Sequence, residues 1–238
     1  MVYGWLSRLH SLIYTPFCVL CGQRSHSCKE LCAACIRDLS WNRNCCSICA
    51  APMPPESSPR RCGQCLKSPP PWDIAVSPLL YAWPLDQLLQ RFKFNGDLAI
   101  VRLLGELLAD YLAAGRVLKP DLLIAVPLHN ARLRKRGFNQ ALELARPVAR
   151  RLRLCVAPHT VCVRSKDTAV QSELDAVQRR RNLHAAFAIH QSLTGAHVAI
   201  LDDVLTTGAT TAALTLTLRQ AGAASVQVWC LARAARVS

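Results

Sequence analysis

The chain predicts an α/β fold, a mostly parallel sheet with flanking helices, preceded by a small cysteine-rich head. Three observations carry that prediction. Ten of the thirteen cysteines lie within the first 65 residues, so the head is compositionally distinct from the rest. Two short apolar runs, residues 121–126 and 198–201, are each followed by a polar stretch and then by helical periodicity, as expected of buried parallel strands that feed helices. The 238-residue length suits one ordinary domain plus a small one, and the 51% hydrophobic content can fill its core. Residues 1–70 are therefore assigned to the head and its linker, and 71–238 to the α/β body.

In residues 1–17, Trp5, Leu6, Leu9, Leu12 and Ile13 repeat at helical spacing and predict a short amphipathic helix lying on the body. Arg8 and His10 interrupt the stretch and no small-residue cleavage site follows, which argues against a secretory signal. Its polar face has too few cations for a membrane-surface helix. With no apolar run approaching the length of a membrane span, the expectation is a cytoplasmic protein without membrane insertion.

Four Cys-x-x-Cys knuckles follow: Cys18 and Cys21, Cys32 and Cys35, Cys46 and Cys49, Cys62 and Cys65. Each puts two thiolates on a tight turn, and two knuckles complete a tetrahedral four-sulfur site, so two structural zinc ions are expected. The separations between successive pairs suit two small ribbons in series, with an interleaved pairing, first with third and second with fourth, left open by the spacing. Cys45 competes with its neighbour Cys46 as a ligand. A disulfide framework is the alternative use of these cysteines, disfavoured by the regular two-residue spacing and the lack of a signal peptide. Four sulfurs leave no open position for water, so zinc catalysis is not expected.

Residues 52–71, rich in Pro, Ser and basic side chains, read as a linker. Residues 74–83 predict a strand or hairpin arm, and Pro84 can start a helix through Leu85, Leu88, Leu89 and Phe92 that residues 92–97 break. A second helix spans 98–114 and stops near Gly115. Lys93 suits either a snorkelling surface position or a place over a substrate pocket. After the strand at 121–126 comes a basic loop with Arg132, Arg134, Lys135 and Arg136, then a helix over 141–152. Residues 187–189 and 225–231 supply further strands of the main sheet. In residues 129–185 there are thirteen Lys or Arg against four Asp or Glu, whereas the rest of the body is balanced. A basic patch confined to this region expects phosphates.

The stretch 198–211 places a buried strand, an acidic pair and a phosphate-sized turn in succession. Thr206, Thr207, Gly208, Ala209 and Thr210 offer backbone N–H groups at a helix N-terminus, where an anion such as a phosphomonoester is favoured. Asp202 and Asp203 stand at the carboxyl end of the strand and suit a sugar cis-diol with a divalent cation nearby. An ordinary turn with an N-cap at Thr206 or Thr207 is the plainer alternative.

This stretch closely resembles the 5-phosphoribosyl-1-pyrophosphate (PRPP) motif of type I phosphoribosyltransferases, with every position of hydrophobic strand, acidic pair, Thr-Thr-Gly and hydroxyl residue filled. The resemblance implies that Asp202 and Asp203 hold the ribose hydroxyls, with magnesium, and that Thr206 to Thr210 hold the 5-phosphate. It also implies that Arg132 and Arg136 meet the pyrophosphate, as guanidinium forks do. The passage Pro127-Leu-x-x-x-Arg-x-x-x-Arg-Gly-Phe-Asn-Gln140 resembles the ComF/GntX family of competence-associated phosphoribosyltransferase-like proteins. That likeness extends over nearly the whole chain, from the cysteine head through Lys93-Phe94 to Gln171, Arg180, Arg181 and Asn182. It implies that the region 164–182, with Lys166 and Arg179 to Arg181, is a mobile loop that closes over PRPP.

The expected function is a PRPP-binding, phosphoribosyltransferase-like protein linked to DNA uptake or use of external DNA. Asp202 and Asp203 stand at the reacting centre, and no acceptor base can be read from the residues. The competing expectation is a non-catalytic component that binds single-stranded DNA, through Arg134, Lys135 and Arg136, or docks a partner such as a competence helicase through its zinc ribbons.

Overall fold

The computed structural model of the protein describes residues 16–25, 29–56, 60–115, 117–164 and 186–235. The expected N-terminal helix and the loop containing Gln171, Arg179 to Arg181 and Asn182 lie outside the described residues. In the head, two one-and-a-half-turn helices, α1 (Ala33–Arg37) and α2 (Gly63–Lys67), each begin directly after a cysteine, Cys32 and Cys62. The body runs β1 (Ile74–Val76), β2 (Leu79–Leu80), α3 (Leu85–Asn95), α4 (Leu98–Ala114), β3 (Leu122–Ala125), α5 (Asn130–Arg136) and α6 (Gln140–Leu152). It continues with β4 (Cys162–Arg164), β5 (Phe187–Ile189), β6 (His197–Leu205), α7 (Ala209–Gln220) and β7 (Ser225–Arg233).

The main sheet has the order β1-β7-β6-β3, with β2 also on β7, and every pairing in it is parallel. Long β6 and β7 form its centre because both are nearly continuous apolar runs that can be covered on both faces. Trp229 and residues 198–201 are fully buried there. Beyond β3, Val156 makes a further parallel bridge to Leu123, so the chain leaves β3 in one direction through α6 and leaves β6 in the other through α7. Right-handed crossovers then place α6 and α7 on opposite faces. The reversal lies between the carboxyl ends of β3 and β6, the crevice where open α/β sheets bind ligands.

Local chemistry sets the elements that frame this crevice. Helix α4 starts where Asp97 accepts the Ile100 N–H at 3.3 Å, and it packs so closely on α6 that a Cβ at Gly105 would stand 2.3 Å from Pro147 Cγ. Residues Ala141, Leu144, Ala145, Val148 and Ala149 give α6 its buried face at helical spacing. Each buried Leu or Phe of this core contributes about 1.5–3 kcal/mol.

Two expectations need correction. The basic stretch after β3 is helical rather than a loop: the His129 ring accepts from Ala131 N at 3.3 Å, and Gly137, at φ 79, ends α5 in the left-handed region. Residues 187–189 do not join the main sheet. They pair antiparallel with β4, and this two-stranded ribbon carries both ends of the 165–185 segment.

The head is docked rather than tethered. Trp41 bridges antiparallel to Leu79, Asn42 N donates to Pro78 O at 2.8 Å, and Leu80 N donates to Ser40 O at 2.8 Å, which covers the outer side of β2. The buried Asn42 amide also donates to Ala50 O and Ser77 O. Lys29 meets Asp110 of α4 at 2.6 Å, and Arg91 of α3 donates to Val19 O at 3.0 Å.

Candidate functional site

Strand β6 runs four residues beyond the apolar stretch, because β7 continues beside it to pair Val204 with Ala232 and Leu205 with Arg233. Asp202 and Asp203 therefore stand on the carboxyl end of the strand itself, both half-buried. The Asp203 amide donates to Asp202 Oδ1 at 2.9 Å, and the Val204 amide donates to Asp203 Oδ1 at 2.8 Å. Lys93, from the end of α3, reaches Asp203 Oδ2 at 2.7 Å. Lys93 therefore meets the acidic pair rather than only snorkelling to the surface.

Burial raises the Asp202 carboxyl well above its ordinary range, and the neighbouring Asp203 charge raises it further, against the lowering influence of the Asp203 amide and Lys93. A half-buried carboxylate pair with one resident cation suits hydroxyl groups or a further cation arriving with a ligand. The donor set, two carboxylates on a strand end, fits magnesium held partly by ligand oxygens.

Strand β6 ends at Leu205, and the turn to α7 exposes Thr206, Thr207 and Ala209, with Gly208 and Thr210 partly covered. The N-cap is Gly208 at φ 80, not a threonine, and no side chain caps that position. Thr207 Oγ1 accepts from Ala209 N at 3.3 Å, and Thr211 Oγ1 donates back to Gly208 O at 2.9 Å. Glycine is required twice over here, by the positive φ and because a Cβ would lie 2.7 Å from the Trp72 ring. The twelve-residue α7 thus begins in an exposed turn of small residues, an arrangement that presents N–H groups to an anion.

Across the crevice, α5 follows β3, with Arg134 exposed and Arg132 and Arg136 partly covered; the backbone of Lys135 lies in the same helix. The Gly-Phe-Asn-Gln segment after it serves the framework. Phe138 stacks on Phe92 at 5.3 Å, while Asn139 donates to Val126 O at 3.0 Å and accepts from Ala141 N at 3.0 Å. Asn139 thereby caps α6 and fastens it to the end of β3. Through Phe92, the same contact sets α3 and hence Lys93.

The cysteines form two groups, Cys18, Cys21, Cys32 and Cys35, and Cys46, Cys49, Cys62 and Cys65, each with its four sulfurs within 4.8 Å of one another. Successive pairing is the observed one, and Cys46 rather than Cys45 faces the second group. Cys62 N donates to Cys46 Sγ at 3.3 Å and Cys35 N to Cys32 Sγ at 3.5 Å. Burial alone would raise the Cys18 thiol, but the N–H groups of Cys21, Cys32 and Leu20 outweigh it and bring it down to about 6. Cys46 is brought to about 7 in the same way, against burial, by the amides of Cys62, Cys49 and Ile48. One amide-stabilised thiolate in each group, with three further sulfurs within one coordination radius, fits structural zinc, and the closed four-sulfur sets supply cross-linking to a head too small to hold by its core.

Two residues of the site were not anticipated. Arg233, at the end of β7, is 2% exposed, and its guanidinium donates to the carbonyls of Cys49 at 3.0 Å, Leu205 at 2.7 Å, Thr206 at 2.6 Å and Ala234 at 2.8 Å. Trp72 donates from its indole to Ile48 O at 2.8 Å and lays its ring on Gly208. The only sequence signals were an arginine closing an otherwise apolar run and a tryptophan directly after three prolines.

Residues 9–66 match the double zinc ribbon domain family. The DNA utilization protein YhgH of Escherichia coli O157:H7 is 40% identical over 207 residues, covering 85% of this chain and 90% of that protein. Competence protein F of Haemophilus influenzae is 36% identical over 225 residues, covering 91% and 96%. Among solved structures, a purine phosphoribosyltransferase from Pyrococcus horikoshii Ot3 aligns with 67% of this chain and 77% of its own, at 19% identity and a TM-score of 0.32.

Proposed function

The chain belongs to the ComF/GntX family, that of competence protein F and the DNA utilization protein YhgH, and from this we propose that it binds PRPP in a process that uses external DNA. The observation that carries the proposal is the succession of Asp202, Asp203, the exposed turn from Thr206 to Thr210 and the N-terminus of α7, at the point where the sheet reverses direction. The two carboxylates take the ribose hydroxyls, and the turn takes the 5-phosphate. Arg132 and Arg136 of α5 take the pyrophosphate. Magnesium, when bound, offsets the charge of the phosphate oxygens beside the acidic pair.

If transfer follows, the bond from ribose C1 to the pyrophosphate oxygen breaks as an acceptor attacks C1, and the electron pair leaves with pyrophosphate. The protein's part is to align the ribose and stabilise the departing charge. Lys93 beside Asp203 offsets the charge of the pair in the absence of ligand and gives the diol a settled partner to meet. We propose the cytoplasm as the compartment of this process.

The exposed Arg134 of α5 supports a second reading, in which Arg134, Lys135 and Arg136 track single-stranded DNA and the zinc ribbons dock a DNA-processing protein such as a helicase. Calorimetric titration with PRPP and magnesium, beside salt-dependent binding of single-stranded DNA, separates the readings. Changing both Asp202 and Asp203 to Asn should weaken PRPP at least about tenfold, or about 1.4 kcal/mol, and leave DNA binding intact. Unchanged PRPP binding in that variant would overturn the assignment of the acidic pair.

A further inference from the structure

We infer that the second zinc ribbon positions the phosphate turn, and that Arg233 and Trp72 are the positioning residues that do so. The inference rests on the reading of the turn as a phosphate site, and the geometry behind it is independent of that reading. The ribbon and α7 are not packed together throughout: a cavity of about 550 Å³ lies between them, lined by Cys65, Pro70, Trp72, Gly208, Leu216 and Arg233. Two ties join them around it. One runs from Cys49 O through the Arg233 guanidinium to the carbonyls of Leu205 and Thr206. The other runs from Ile48 O through the Trp72 indole to the close face of Gly208.

The first tie does more than fasten the turn. A trans peptide is planar, with its N–H directed opposite to its C=O. Holding the Leu205 and Thr206 carbonyls on the guanidinium therefore turns the N–H groups of Thr206 and Thr207 away from Arg233, toward the opposite side of the turn. Carbonyl oxygens, which would repel a phosphate, are kept on the protein side. A guanidinium buried to 2% exposure is costly unless it is hydrogen-bonded, and here Nε donates to Cys49 O while one terminal nitrogen serves the carbonyls of Leu205, Thr206 and Ala234. The Trp72 ring then sets the far limit of the turn at Gly208. Both ties end on residues inside or bounding the Cys46–Cys49 knuckle, so the conformation of that knuckle is transmitted to the turn, and that of the first ribbon is not.

The test compares full-length Arg233→Lys, Trp72→Phe, Cys62→Ser and Cys21→Ser with the unsubstituted protein. Trp72→Phe keeps an aromatic ring but removes both the indole donor and the far edge of the indole that meets Gly208. Three quantities are read: amide exchange at Ala209, Ala212 and Ala234, whose N–H groups bond to Thr207, Gly208 and Leu205 of the turn, zinc content, and the affinity for ribose 5-phosphate. Arg233→Lys and Trp72→Phe should speed exchange of the turn about tenfold, the equivalent of one lost hydrogen bond, while both zinc ions are retained. Ribose 5-phosphate affinity should fall by a similar factor. Cys62→Ser, in the second ribbon, should speed exchange in the turn, whereas Cys21→Ser, in the first, should leave it unchanged.

Unchanged turn exchange in Arg233→Lys overturns the inference, as does an equal response to Cys62→Ser and Cys21→Ser. Failure of the unsubstituted protein to bind ribose 5-phosphate overturns the phosphate-site reading instead. The exchange comparison still decides whether the ribbon positions the turn.

Discussion

Replacing Gly208 by Ala tests the phosphate turn at the point where backbone and packing coincide. At φ 80 an L-residue pays the left-handed penalty of about 1–2 kcal/mol. Its Cβ would also stand 2.7 Å from Trp72 Cη2, a contact inside a buried joint that adds about 1–3 kcal/mol of overpacking. The sum is about 2–5 kcal/mol. Gly137 supplies the internal reference. Its φ is 79, nothing lies within 4 Å of its Cβ position, and Gly137→Ala should therefore cost only the backbone share.

Urea unfolding of both variants gives the difference, and a cycle with Trp72→Leu assigns it, since removing the ring should bring Gly208→Ala down to the Gly137→Ala value. Equal destabilisation by the two alanines, or a Gly208→Ala cost that ignores Trp72→Leu, would refute the placement of the ring against the turn.

Three further outcomes are expected. Metal analysis should give about two zinc per chain; Cys46→Ser should lose one, and Cys45→Ser should lose none because Cys45 lies outside the second sulfur group. Asp110 should be the acid-sensitive point of head docking. Its hydrogen bond from Lys29, with a second from Arg151, holds its carboxyl below the ordinary 3.8, so its contribution is present above that value and lost as pH falls through the lower folded one. Limited proteolysis against pH should show the head loosening in that acid range, and the same transition in Asp110→Asn would contradict this. Finally, Lys93→Met should leave the fold intact and weaken PRPP binding in calorimetry, because the acidic pair loses its resident cation at 2.7 Å; undiminished affinity would count against Lys93 as part of the site.

Features set by neighbours along the chain were legible in the residues alone. Helix α4 occupies the expected 98–114, since its apolar stripe and the Asp97 cap are local. The four knuckles and the turn after β6 are legible for the same reason: a Cys-x-x-Cys turn, or a Thr-Thr-Gly turn after an apolar strand, brings its chemistry together within a few residues.

Tertiary structure decided whatever depends on which distant segments meet. The spacing suited successive cysteine pairing without excluding the interleaved one, and packing of the head decided it, along with Cys46 over Cys45. The carboxylates became part of β6 because β7 runs alongside them, and no pattern within 198–205 announces how long a partner strand will be. Residues 187–189 carry the alternation of any short strand; pairing with β4 rather than the main sheet was a matter of topology. Lys93 had two equal readings until the end of α3, held by the Phe92–Phe138 stack, brought it to Asp203 of β6. Arg233 is the extreme case. A charged residue at the end of a strand ordinarily faces water, and here burial is possible only because Cys49, Leu205, Thr206 and Ala234 converge on one guanidinium from both the head and the body.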